Sequence, residues 1–514
     1  MELNSLQTIY LDGNNLTLKD VELVAKGQAN VKLCKEACLK VNQSRAFVEK
    51  VIKEGKHIYG INTGFGALSS VIIPDDKIEE LQLNLIRSHA CGVGTPHSET
   101  TTRAIILLRA NTLAKGYSGV RAETINTMLE LLNKGVHPII PSQGSVGASG
   151  DLVPLAHLAL VLVGEGKAIY QGETLSGSDA LAKAGITPIK LGAKEGLALT
   201  NGTQSMCGMA VLHLSEADKL IKISDIAGAM TLEAVQGTSK AFDPKIQALR
   251  QHPGQAITSR NLLKLLSDSE ILISHNNCGK IQDPYSIRCM PQVHGASRDV
   301  FDYVRKVLEI EINSATDNPL IFAEESEVIS GGNFHGQPLA FAMDFLGIAV
   351  SELANISERR IDKLITPAFS NLPAFLTKDF GLNSGLMIVQ YSAASLVSEN
   401  KVLSHPASVD SIPTSLDKED HVSMGSTAAL KADKILQNTK NVLAMELLSA
   451  FQGLSFNKIH KPGVGVQAAF DVISDVIPEI INDRVFADDI NKIVELIDSG
   501  RILAAVEDKI GKLE

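Results

Sequence analysis

The chain has 514 residues, 48 lysines and arginines against 58 aspartates and glutamates, and a formal net charge of −10. That length suffices to bury a large core, and the acidic balance without a clustered basic run argues against a nucleic-acid surface. The six cysteines show neither a CxxC pair nor metal-ligand spacing, and read as reduced, mostly buried thiols.

In chain order, the start Met1-Glu-Leu-Asn-Ser-Leu has neither the basic nor the apolar region of a signal peptide, so a cytoplasmic location is expected. Residues 101–134 hold one or two helices. The glycine-spaced loop Gly144-Ser-Val-Gly147-Ala148-Ser149-Gly150-Asp151 leads into an apolar run over 152–163 that stops at Gly164. That run predicts a helix with Asp151 as its cap and Pro154 in its first turn. It is the longest apolar stretch apparent, is interrupted by His157, and is too short to span a bilayer. Strand signals are few: 71–73, 168–170 and 188–191 sit beside turns and predict small ribbons. Helical spacing recurs over 299–311, over 339–365 before Pro367, and over 426–451, where Ala429, Ala432, Leu436, Leu443 and Leu447 fall on one face. The expectation is a mainly α protein.

Chemistry concentrates in Ala148-Ser149-Gly150. If the Gly150 nitrogen attacks the Ala148 carbonyl carbon, loss of water closes a five-membered imidazolone. Loss of the Ser149 hydroxyl as a second water then leaves an exocyclic methylidene. No side chain supplies a comparable carbon electrophile, a chemistry otherwise borrowed from a cofactor. On its own the tripeptide reads as a turn before a helix. Its flanks decide between the two readings.

Those flanks extend along nearly the whole chain in ordered blocks: Tyr59-Gly-Ile-Asn-Thr-Gly-Phe-Gly66, Arg87-Ser-His89-Ala-Cys-Gly92, Glu195-Gly-Leu-Ala-Leu-Thr-Asn201-Gly-Thr-Gln204, Gln282-Asp-Pro-Tyr285-Ser-Ile-Arg288, Asn313-Ser-Ala-Thr-Asp-Asn-Pro319, Gly331-Gly-Asn-Phe334-His335, and His405-Pro-Ala-Ser-Val-Asp410 through Glu419-Asp-His-Val-Ser-Met424. With them the chain resembles the aromatic amino acid lyases. The resemblance implies a methylidene-imidazolone formed autocatalytically from Ala148, Ser149 and Gly150, with no external cofactor and no metal. It implies a long central helix bundle of the fumarase/aspartase-like type behind an N-terminal domain that carries the prosthetic group. The division expected is 1–205 and 206–514. A homotetramer with active sites shared between subunits is also implied.

The resemblance points to Tyr59, in a Gly-rich loop, as the base. A free phenol titrates near pH ~10, so neighbouring positive potential is required of its site. Tyr285 is the second candidate, for amine handling or as an oxyanion donor. Arg288 is the natural carboxylate clamp, since guanidinium binds carboxylate bidentately. Asn201 is expected to hold the substrate carboxylate or the ring carbonyl; otherwise it is a left-handed turn residue. Gln282 and Phe334 match further site positions, Phe334 as a pocket wall. Specificity rests on Ser88-His89, the histidine-type pairing, and on Glu419. A carboxylate facing an imidazole N–H makes a charge-assisted bond of roughly 1.5–3 kcal/mol; facing a benzene ring it is desolvated with no partner. Adjacent Asp420 is the competing inward carboxylate. The activity implied is elimination of ammonia from L-histidine to give trans-urocanate, opening histidine degradation. The alternative is a tyrosine lyase or an aromatic 2,3-aminomutase using the same electrophile, because some of these share Ser-His. His157, on an apolar helix, reads as a satisfied core histidine, and His294, His335 and His421 as supporting residues.

Overall fold

The computed structural model describes residues 6–275 and 281–514; Cys278 lies outside them. The described chain is mainly helical, with small two- and three-stranded sheets, and forms two compact units, neither continuous in sequence. The first comprises residues 1–213, 305–344 and 406–430; the second comprises 214–304, 345–405 and 431–514.

In the first unit, strands Gln7–Leu11 and Ala29–Leu33 pair in parallel. Helix Leu18–Ala25 connects them, opened by a capping box in which the Thr17 hydroxyl and the Asp20 carboxylate satisfy each other's backbone N–H. Helix Glu99–Ala114, capped by Ser98 and buried from Thr102 to Ala114 on every face, is the first of the two helices found over 101–134. Helix Ala122–Lys134 follows and stops at Gly135, whose φ of 72° suits a glycine end. Below the loop that starts at Tyr59, a core of Val48, Val51, Ile61, Ile78, Ala193 and Ile321 fixes the loop's base. Fully burying one such side chain stabilises by about 1.5–3 kcal/mol.

The ribbon expected at 168–170 is present as Lys167–Tyr170, the middle strand of a three-stranded antiparallel sheet. Residues 71–73 contribute only an isolated bridge, Thr63 to Ile72, and 188–191 form no strand. Helix Leu152–Leu162 follows Asp151 as expected, but the Asp151 carboxylate makes no capping bond to it.

Long helices Met290–Glu311, Gln337–Ile365 and Gly425–Ser455 enclose the three later helical windows, and Gln204–Ala234 is a fourth long helix. Among the described residues, Gln337–Ile365 is the one helix that combines such length with an apolar window, although charged residues interrupt it. By length and composition it could cross a membrane, and 67% of its most apolar window is buried inside the protein, as for a core helix. Of the five described cysteines only Cys207 is buried; Cys91 is exposed and the others are half-buried, which corrects the expectation of mostly buried thiols.

The second unit contains a buried polar network. Arg360 donates to Glu446 through Nη2 at 2.8 Å, and Arg298 pairs with Asp225. His294 Nδ1 lies 2.8 Å from Asp225 Oδ1, and its Nε2 lies 3.2 Å from Ser224 Oγ and 3.3 Å from Arg360 Nη1. A guanidinium only donates, so Nε2 accepts and Nδ1–H donates to Asp225. Burial holds the His294 pKa below its ordinary value, which keeps the ring neutral. The Ser–His–Asp order resembles a hydrolase triad, yet all three side chains are sealed from solvent. The network is structural.

Candidate active site

The site in the first unit is built around Ala148-Ser149-Gly150. Gly147 and Gly150 have φ of 70° and 75°, a left-handed backbone that favours glycine. A Cβ at Gly150 would collide with the Gly202 carbonyl. That close approach pairs Gly150 with Gly202 in an isolated parallel bridge, and Asp151 N–H donates to Gly202 O at 2.7 Å.

Three helix N-termini meet this loop. Leu152–Leu162 begins directly after it. Met206 N–H, in the first turn of Gln204–Ala234, donates to Asp151 Oδ2 at 2.8 Å. Ser426 Oγ, in the first turn of Gly425–Ser455, donates to Asp151 Oδ1 at 2.7 Å, and Met424 N–H donates to Val146 O at 3.0 Å. Asp151 thus satisfies the start of a different helix from the one it precedes. Burial raises its pKa to about 6. Each helix start carries roughly half a positive charge, so the tripeptide sits in the positive potential expected of an electrophile.

The expected residues of this unit gather on the tripeptide. Asn201 Nδ2 donates to the Ser149 carbonyl at 3.2 Å. Its Oδ1 is buried without a hydrogen-bond partner, and its backbone is extended at φ −92°, ψ 110°, so the left-handed turn alternative does not apply. Ser149 Oγ donates to Glu419 Oε1 at 3.1 Å, and Thr414 Oγ1 donates to Glu419 Oε2 at 2.9 Å. Asp420 is exposed. The inward carboxylate is Glu419.

Glu419 is presented by an unusual turn. Thr414 and Glu419 exchange backbone hydrogen bonds of 3.0 and 3.3 Å. Between them Ser415, Leu416 and Asp417 have φ of 54°, 55° and 61°, a left-handed run costing about 1–2 kcal/mol per residue. No glycine marks this turn, so local propensity cannot foretell it. Ser415 Oγ accepts from Ala67 N–H at 3.3 Å, joining the turn to the Tyr59 loop.

The Tyr59 hydroxyl accepts from Gly66 N–H at 3.5 Å. Its pKa is raised, first by burial and then by the carboxylates of Glu419 and Asp317. The Gly66 N–H acts in the opposite sense, lowering it. His89 ends helix Ile78–His89, its Nδ1 lying 3.1 Å from Ser88 Oγ. Burial lowers the His89 pKa, which leaves the ring neutral near pH ~7. Phe334 is half-buried, and the following His335 stacks on His421 with ring centroids 5.4 Å apart. His157 Nε2 accepts from Gly92 N–H at 3.0 Å, the satisfied histidine expected.

Gln282, Tyr285 and Arg288 belong to the second unit. Gln282 is exposed, Tyr285 is 70% exposed, and the Arg288 guanidinium lies 4.7 Å from the Tyr285 ring centroid. Arg288 Nε is buried without a hydrogen-bond partner. Sequence reasoning missed Thr414, Gly202 and the second role of Asp151, because each acts through contacts distant in sequence. Among the described residues, no cluster of three or more His, Cys, Asp or Glu side chains is arranged to hold a metal.

A family profile described as aromatic amino acid lyase matches residues 16–475. Histidine ammonia-lyase of Alkaliphilus oremlandii is 54% identical over 502 residues, covering 98% of this chain and 99% of that protein. The crystal structure of histidine ammonia-lyase from Trypanosoma cruzi is 43% identical with a TM-score of 0.91, covering 98% of this chain and 96% of that one. That of tyrosine aminomutase from Streptomyces globisporus is 37% identical with a TM-score of 0.93, covering 99% and 100%.

The chain belongs to the aromatic amino acid lyase family. Membership implies the methylidene-imidazolone group, and the tripeptide fits it. Gly150 has the left-handed backbone that a glycine adopts and sits where no side chain fits against Gly202, and Asn201 Nδ2 already meets the carbonyl that would become the ring carbonyl. The unpartnered Asn201 Oδ1 leaves a buried acceptor facing the same region.

Proposed function

We propose that this aromatic amino acid lyase is a histidine ammonia-lyase, eliminating ammonia from L-histidine to give trans-urocanate. The observation that carries this reading is Glu419, held beside Ser149 by Thr414. It is a carboxylate aimed at the reactive tripeptide. An imidazole N–H would satisfy it with a bond worth roughly 1.5–3 kcal/mol; a phenyl ring would desolvate it for nothing. The preference expected for histidine over phenylalanine is about two orders of magnitude. The same carboxylate weighs against a tyrosine lyase or aminomutase.

The prosthetic group is proposed to arise from the chain itself. The first water takes the Ala148 oxygen and the amide hydrogens of Ser149 and Gly150; the second takes the Ser149 hydroxyl and its α-hydrogen. When formed, the group supplies the electrophile that makes ammonia a competent leaving group. The chain's own residues do the rest. Glu419, released from the Ser149 hydroxyl by its loss, faces the imidazole, and His89 lines the ring pocket. Asn201 holds the ring carbonyl. Tyr59 takes the β-proton as its phenolate, after its own proton has passed to solvent; burial and two carboxylates oppose that loss, and an entering cation such as the substrate ammonium favours it. Arg288 binds the substrate carboxylate, Tyr285 handles the amine or donates to an oxyanion, Gln282 is a further substrate-binding residue, and Phe334 walls the pocket. The substrate is small, and neither nucleic acid nor a membrane is proposed as a partner. The assembly proposed is a cytoplasmic homotetramer. Support for association comes from large apolar side chains left bare on helices of the second unit, among them Tyr391 at 61% and Ile388 at 53% exposure.

The test is an ultraviolet assay of the purified protein with L-histidine, L-tyrosine and L-phenylalanine in parallel. Urocanate from histidine, with little product from the others, is expected. Product from tyrosine alone overturns the substrate assignment and leaves the electrophile standing.

A further inference from the structure

Two cations lie fully buried in the first unit, Arg109 and Lys194. Lys194 has its own carboxylate, Asp317, at 2.7 Å. Arg109 has none within ion-pair distance among the described residues. Its Nη1 donates to Asn201 O at 2.9 Å and to Gln204 Oε1 at 2.6 Å, and its Nη2 donates to Ala198 O. Its Nε is buried and unbonded. Burial pushes its pKa down to about 10, so the group is still charged near neutrality. An uncompensated buried charge costs several kcal/mol, and well-packed neutral side chains often replace buried ions without loss. Packing alone does not account for an arginine here.

Its place does. The carbonyls it binds end the helix Glu195–Thr200, where a cation is favoured. A Cβ on Gly202 would collide with Arg109 Nη1, so the guanidinium stands directly behind the Asn201-Gly202 backbone. The other side of that backbone meets the tripeptide, through Asn201 Nδ2 to Ser149 O at 3.2 Å and Asp151 N to Gly202 O at 2.7 Å. Gln204 locks the guanidinium in turn, its Nε2 donating to Thr112 and Thr316 hydroxyls at 3.0 and 2.7 Å.

We propose that Arg109 is the positioning residue of the tripeptide: it clamps Asn201-Gly202 so that the Asn201 amide stays on the Ser149 carbonyl while the Gly150 nitrogen closes on Ala148, and its charge, drawing electron density toward the Ser149 carbonyl, makes the Ser149 α-hydrogen easier to lose with the second water. The inference rests on the cyclisation proposed above. Arg109 touches neither substrate nor the ring atoms.

The test measures the intact mass of the full-length protein at intervals after synthesis, with melting temperature alongside. Wild type should be lighter than its sequence by two waters; if it is not, the cyclisation reading fails and this inference falls with it, whereas the variants below test the inference alone. Arg109→Met removes both clamp and charge, and should lower the cyclised fraction at least about tenfold, ~1.4 kcal/mol in rate terms. Arg109→Lys should recover part of it. Gln204→Glu keeps the acceptor for Arg109 and neutralises the charge, at the cost of the two bonds its Nε2 donates to Thr112 and Thr316, so it should slow loss of the waters in protein whose melting temperature shows it folded. A folded Arg109→Met protein that loses both waters at the wild-type rate overturns the clamp. Gln204→Glu at the wild-type rate overturns the charge. Should Arg109→Met not fold, Gln204→Glu decides the charge and Arg109→Lys decides the clamp, a wild-type rate in that lysine variant overturning it.

Discussion

The tripeptide has two differently built sides. Behind it, Asn201, Gly202, Asp151 and Arg109 are buried, and all but a few of their polar atoms are bonded. In front, Tyr59, His89 and Glu419 are each half-exposed and held by few, longer bonds, such as the 3.5 Å contact to the Tyr59 hydroxyl. The buried side shapes the backbone for a covalent change within the chain. The open side keeps unspent hydrogen-bonding capacity for a molecule that arrives later. Preorganisation and adaptability are thus divided across one strand of three residues.

Mutations sharpen this contrast, and the largest effect is at the tripeptide itself. Ser149→Ala removes the leaving hydroxyl, so the second water is never lost and elimination should fall by about 10³-fold or more, ~4 kcal/mol or above. Intact mass and the urocanate assay read it together. On the open side, Glu419→Gln should lower kcat/KM for histidine by about two orders of magnitude while narrowing the preference over tyrosine and phenylalanine. Unchanged preference would remove Glu419 from specificity.

On the buried side the readout is pH. The Asp151 pKa is raised by burial to about 6, so folding favours its protonated form. Its contribution to stability is full below the unfolded value near ~4 and is lost as pH rises through about 6, a difference on the order of 3 kcal/mol. Asp151→Asn should therefore gain melting temperature relative to the parent between pH ~4 and ~7; parallel curves would refute the burial argument. The smallest effect is expected one residue from the pocket. Asp420→Asn, at an exposed side chain, should leave kcat/KM within about twofold.

The helices were legible because their apolar spacing is local: 299–311, 339–365 and 426–451 all lie inside longer observed helices. The parallel strands Gln7–Leu11 and Ala29–Leu33 were not, since pairing across a helix leaves no short-range signal. The tripeptide was legible as chemistry, because Ala-Ser-Gly has the atoms for ring closure whatever surrounds it. Asp151 was recognised as a helix-start residue but given the wrong helix, because Met206 and Ser426 come to it only through folding.

By itself, then, the sequence determined the helical class, the electrophile's precursor and the presence of two candidate carboxylates, 419 and 420. These depend on residue type and spacing along one stretch of chain. Tertiary structure alone decided which carboxylate turns inward, through a left-handed run at 415–417 closed by Thr414 and Glu419. It alone drew residues 305–344 and 406–430 into the unit that holds the tripeptide, and it alone set a buried arginine behind Asn201. Burial, desolvation and contact between distant segments are properties of the packed chain, and no local pattern encodes them.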